Sequence, residues 1–113
     1  MTTNRPVPGL NPAFFVSDAL HERKVTLADG SEHVMHFREL PAVSFRAFQI
    51  AEQSEDDEVR AGSMARLVAA SVCNPDGTPA MTHDKAKTLK PGVMNAMVVE
   101  IMAINALGKE KNG

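Results

Sequence analysis

Residues 24–37 read Lys-Val-Thr-Leu-Ala-Asp-Gly-Ser-Glu-His-Val-Met-His-Phe, two short apolar and β-branched runs on either side of Asp29-Gly30. Runs of this kind around an Asp-Gly dipeptide predict a β-hairpin, with strands over Lys24–Leu27 and Val34–Phe37. Loop length decides which side chains share a face. A two-residue Asp-Gly loop pairs Val25 with Val34 and sets Val25 and Leu27 opposite the face that carries Met35 and Phe37. A three-residue loop Ala28-Asp29-Gly30, with Gly30 in the left-handed bulge position, pairs Leu27 with Ser31 instead. Val25, Leu27, Met35 and Phe37 then lie on one face, and Lys24, Thr26, Glu32 and His36 on the other, so the three-residue loop is expected. A lone hairpin is marginal in water, and this apolar face needs helices or another subunit against it.

The chain downstream is helical in character. Pro41 stands early in a helix, where its missing N–H costs nothing, and apolar residues recur at Leu40, Val43, Ala47, Ile50 and Ala51. Ser54-Glu-Asp-Asp-Glu58 reads as a break and a new start, capped by Ser54 or Asp56, with carboxylates at the positive helix end. The helix so started is expected to reach Val72, with Val59, Met64, Leu67, Val68 and Ser71 on one stripe and Arg60 and Arg66 off it. Gly62 weakens it by about 1 kcal/mol relative to alanine. Asn74-Pro-Asp-Gly-Thr-Pro79 is a turn, and Thr82-His-Asp84 caps a short helix that extends to Leu89. Pro91 opens a last helix that runs to Leu107, before Gly108.

Upstream, Pro6, Pro8, Gly9 and Pro12 exclude regular structure. Residues 1–20 are read as a flexible arm whose Phe14 and Phe15 either pack locally or dock on a neighbour. Residues 21–108 form a single α+β domain, mainly α-helical, with the N-terminal β-hairpin packed on three to four helices. Residues 109–113 are a frayed tail.

From Val93 to Leu107 only Asn95, Glu100 and Asn105 are polar. At about 100° per residue these three lie about 140° apart in turn, which leaves no single polar face. Such a helix is either central, wrapped by the other helices and the hairpin, or it meets another chain. The second arrangement assigns self-association or partner contacts to Met94, Met97, Val98, Ile101 and Met102, together with Phe14 and Phe15. Methionine suits that role, because its unbranched thioether chain adapts to imperfectly matched surfaces.

Composition narrows the function classes. The chain has 113 residues, 43% of them apolar, which is enough for one small core. A net charge of -2 lacks the basic excess that drives phosphate binding, so no nucleic-acid partner is expected. No apolar run approaches the roughly 18–20 residues of a membrane span, and the N-terminus lacks the apolar region of a signal peptide. The single cysteine, Cys73, forms no internal disulfide and suits a reducing compartment. With 7 methionines, 5 phenylalanines and no tryptophan or tyrosine, the apolar material is flexible rather than rigid.

Candidate chemistry is sparse. His33 and His36 lie three apart on a strand and point to opposite faces, and His21 and His83 have no paired ligand nearby. The run Glu55-Asp-Asp-Glu58 lacks the spacing of a calcium loop. No base is placed beside Ser44, Ser71 or Cys73, and the scattered glycines form no phosphate loop. No catalytic residue, metal or cofactor is expected. Lys85, Lys87 and Lys90 form a basic patch that is solvated or pairs with the acidic run of a neighbouring copy.

The stretches Val25-Thr-Leu-Ala-Asp-Gly30, His36-Phe-Arg-Glu-Leu-Pro41 and Ala65-Arg-Leu-Val-Ala-Ala-Ser-Val-Cys-Asn-Pro-Asp-Gly77-Thr-Pro, in this order, carry a resemblance. Over residues 22–107 the chain resembles the tail assembly chaperones of long, non-contractile-tailed phages of the lambda and HK97 type. The resemblance implies a non-enzymatic protein of the host bacterial cytoplasm, absent from the mature virion. Its partner would be the long helical tape measure protein, kept soluble until tail tube subunits polymerise around it. It further implies a longer product, made by a −1 ribosomal frameshift, whose extra domain recruits the tail tube protein. Leu107-Gly108-Lys109 can be encoded as CTG GGA AAG, which contains the slippery heptamer G GGA AAG. Two other readings stand beside it. One is a structural tail or connector subunit retained in the virion. The other is a small antitoxin-like regulatory module, which would need a basic recognition helix that the sequence lacks.

Overall fold

The hairpin closes through the three-residue loop. In the computed structural model, which describes residues 9–105, the Leu27 N–H donates to the Ser31 carbonyl at 2.9 Å and the Gly30 N–H donates to the Leu27 carbonyl at 2.9 Å. Gly30 sits at φ +87°, a conformation that suits a residue without a Cβ. The strands are longer than expected, β1 over Leu20–Thr26 and β2 over Glu32–Arg38. Their antiparallel register sets Val25 opposite His33 and Arg23 opposite Met35. Val25 and Phe37 are buried on the inner face, while Lys24, Thr26 and Glu32 are exposed on the outer one.

A third strand joins this hairpin. β3, Val72–Cys73, pairs antiparallel with His36 and Phe37 of β2, giving a three-stranded sheet in the order β1-β2-β3. The helix expected to reach Val72 therefore stops one residue earlier, and β-branched Val72 turns to extended backbone at φ -71°, ψ 130°. Ser71, fully buried, fastens the junction by donating from Oγ to the Arg38 carbonyl at 2.9 Å. A buried hydroxyl with a partner costs little, and here it ties the helix end to the sheet.

The remaining elements are α1 (Ala42–Glu52), α2 (Asp57–Ala61), α3 (Ser63–Ser71), α4 (His83–Ala86) and α5 (Pro91–Ile104), preceded by a 3₁₀ turn at Pro12–Phe14. Pro41 is the N-cap of α1 rather than its first residue. Asp56 caps α2, its carboxylate accepting from the Glu58 and Val59 N–H groups. The single helix expected downstream of Asp56 is interrupted at Gly62. There His83 of α4 donates from Nε2 to the Gly62 carbonyl at 3.1 Å, and a Cβ on Gly62 would stand 3.5 Å from that nitrogen. Thr82 caps α4, accepting at Oγ1 from the Lys85 N–H.

The core joins the inner sheet face to α1, α3 and α5 through Val25, Phe37, Leu40, Phe45, Leu67, Val68, Met97 and Ile101. Each large side chain removed from water contributes about 1.5–3 kcal/mol, so this one cluster carries the fold. The architecture is α+β and mainly helical. Among the described residues no helix is long and apolar enough to cross a membrane. α5, expected to run to Leu107, ends at Ile104, where Asn105 is the C-cap and turns its side chain to the Leu40 N–H. The tail 109–113 and the first eight residues of the arm lie outside the described residues.

Candidate interaction surface

α5 shows how a helix without a polar face is accommodated. Glu100 accepts from Arg23 Nε at 2.8 Å, and Asn105 accepts the Leu40 N–H at 2.8 Å while donating to the Ile101 carbonyl at 2.7 Å. Two of its three polar side chains thus point to partners within the chain. Asn95 alone is exposed, on a narrow strip with Gly92, Val99 and Ala103.

Of the two arrangements open to this helix, the fold adopts the central one, and this corrects part of the expected interface. Met97 is 6% exposed and Ile101 0%. They pack in the core and cannot touch a partner while the domain is folded. Met94, Val98 and Met102 are half-buried against the same cluster. Met94 lines a groove of about 230 Å³ with Glu58, Ala61, Gly62, Ala65 and Lys87. Phe14 and Phe15, by contrast, are 68% and 62% exposed, on an arm that meets Leu40, Ile104 and Asn105 across a shallow cleft.

The apolar surface that sequence reasoning missed is on α1. Val43 and Ile50 belong to the apolar repeat that marks this helix in the sequence, yet they are 73% and 57% exposed. Phe45 and Phe48 take the inner face with Ala51. The reason is bulk: the apolar residues of α1 cover more than half of its circumference, and the two phenylalanines bury more area than Val43 and Ile50. Val43, Ala47 and Ile50 therefore form an outward stripe at i, i+4 and i+7. Beside it runs an apolar groove between α1 and α3, about 120 Å³, lined by Ser44, Ala47, Phe48, Arg66, Leu67 and Ala70.

The larger cleft, about 420 Å³, is polar and lies between the arm, the end of β2 and the 74–79 turn. Its charged groups hold the chain together. Glu39 accepts the Ser17 N–H at 2.9 Å with one carboxylate oxygen and contacts His21 Nε2 at 2.9 Å with the other. The His21 hydrogen bond, then that of the Ser17 N–H, holds the Glu39 carboxyl below its ordinary pKa. Arg38 donates to the Gly77 carbonyl, and Asp76 accepts from the Thr78 Oγ1 and N–H, the hydroxyl contributing most to lowering its pKa.

Among the described residues no three His, Cys, Asp or Glu side chains are grouped to hold a metal ion. His33 contacts Ser31 Oγ, and His36 faces Glu22 on the other side of the sheet. Lys87, the C-cap of α4, pairs at 3.5 Å with Asp84 in the first turn of that helix. No family model, curated protein or solved structure matches this chain. The exposed apolar stripe of α1 and the exposed phenylalanines of the arm are what bear on function.

Proposed function

We propose that this chain is a tail assembly chaperone of a long-tailed phage, a binding protein that covers the apolar stripes of a helical tape measure protein before the tail tube forms. The observation that carries this reading is the outward stripe Val43-Ala47-Ile50 beside the groove between α1 and α3. A stripe at i, i+4, i+7 next to a groove is the geometry into which the ridge of a second helix packs. Phe14 and Phe15 supply a second apolar contact on the arm. Each contact is small, and many copies along one long client would hold it by multivalency while each lets go readily. The tail tube protein would be met through a longer, frameshifted form of the chain.

Co-expression with the long helical protein encoded nearby tests the reading. The native chain should keep that client in the soluble fraction, and the double variant V43E/I50E should lose most of this effect while its circular dichroism stays native. A client equally soluble without the chain, or equally soluble with the variant, overturns the assignment.

A further inference from the structure

We infer that β1 is a docking edge for a second copy of this chain, which adds its own β1 antiparallel to form a continuous six-stranded sheet. β1 is the outer strand of the sheet and contains no proline, so its outward backbone groups are all present. The Leu27 N–H points to Ser31. Hydrogen-bonding direction alternates along an antiparallel strand, so Val25, Arg23 and His21 also turn toward β2, and Leu20, Glu22, Lys24 and Thr26 turn to the outer edge, which no other strand of the described residues pairs.

A two-fold pairing of β1 with itself must match outward residues with outward residues, which leaves three central registers. One sets Glu22 against Glu22 of the second copy, and another sets Lys24 against Lys24. The third, centred on Arg23, sets Glu22 against Lys24 of the second copy, twice by symmetry, and Leu20 against Thr26. Like charges directly opposite disfavour the first two, and opposite charges favour the third. Glu22 and Lys24 are both exposed on the outer sheet face, where Glu22 lies 3.5 Å from His36 and Lys24 3.7 Å from Glu32 of the same chain; such exposed pairs are weak enough to be shared with the second copy. At the centre Arg23 faces Arg23, but each is already held 2.8 Å from the Glu100 carboxylate of its own chain. A lysine on an open edge ordinarily blocks pairing, and here Glu22 supplies its counterpart in one register only. The contact is isologous and closes at two copies.

Sedimentation of the full chain over a concentration series tests this. The native chain should form a dimer. E22K and K24E should each raise the dissociation constant about tenfold, because two opposite-charge pairs become like-charge pairs. The double variant E22K/K24E should return it to within about threefold of the native value, since the exchange restores both pairs. In the native chain, amide exchange at Glu22, Lys24 and Thr26 should slow as concentration rises. A chain monomeric throughout, single reversals that associate like the native chain, a double reversal that fails to restore pairing, or amides indifferent to concentration would each overturn the inference.

Discussion

Asn105 carries more of the fold than its place at the end of an apolar helix suggests. Its side chain closes the last turn of α5 and satisfies the Leu40 N–H, tying the start of α1 to the end of the chain's last helix. Asn105→Ala leaves that N–H without a partner beside buried Leu40 and should cost about 1–3 kcal/mol, read by chemical denaturation. Glu39 makes a comparable tie between the arm and β2, and its sign with pH is fixed. A carboxyl with a depressed folded pKa contributes fully above the ordinary glutamate range and loses that contribution as pH falls through the folded value. Asp29 and Asp76, lowered chiefly by the Ser31 and Thr78 hydroxyls, act in the same direction. The melting temperature should therefore fall on acidification, and Glu39→Gln should flatten part of that slope. The turns that hold Asp29 and Asp76 were legible in the sequence, but the long-range ties of Asn105, Glu100 and Glu39 were not. Asn105 and Glu100 read only as interruptions of an apolar run, because their partners lie 65 and 77 residues away.

Among the elements, the hairpin and α1 show where local pattern suffices and where it fails. The three-residue loop was legible because only one loop length puts four apolar residues on one face, and the structure has that loop. α1 was legible as a helix but not in its orientation, since it has apolar residues on two sides and the choice between them is made by the partners it packs on. Its two sides should respond oppositely to substitution. Phe45→Ala should cost about 3–5 kcal/mol, whereas Val43→Glu should shift stability by less than about 0.5 kcal/mol in the same denaturation assay. β3 escaped notice for a different reason. Two residues carry no periodicity, and their pairing with β2 spans a sequence distance that no local window contains.

For the molecule as a whole, an aromatic-poor, methionine-rich composition suggested an adaptable surface, and the methionines were assigned to it. The fold spends Met97 on the core and partly covers Met94 and Met102. Among the large apolar side chains it leaves outside are the valine and isoleucine of α1 and the two phenylalanines of the arm, the residues that the proposed function assigns to a client. Self-pairing through β1 would leave these positions on the helical layer and the arm, so each dimer would present two copies of the α1 stripe. Variants of β1 and variants of α1 should then separate assembly state from client solubility.

β3 also makes the chain report on itself. Cys73, the single cysteine, is sealed in that strand at 5% exposure. Alkylation by a small thiol reagent must wait for β3 to lift from β2, so the labelling half-time is a stopwatch for that local opening. β1 lies at the opposite border of the sheet. Dimerisation there should leave the half-time unchanged, while Ser71→Ala, which removes the fastening to Arg38, should shorten it severalfold.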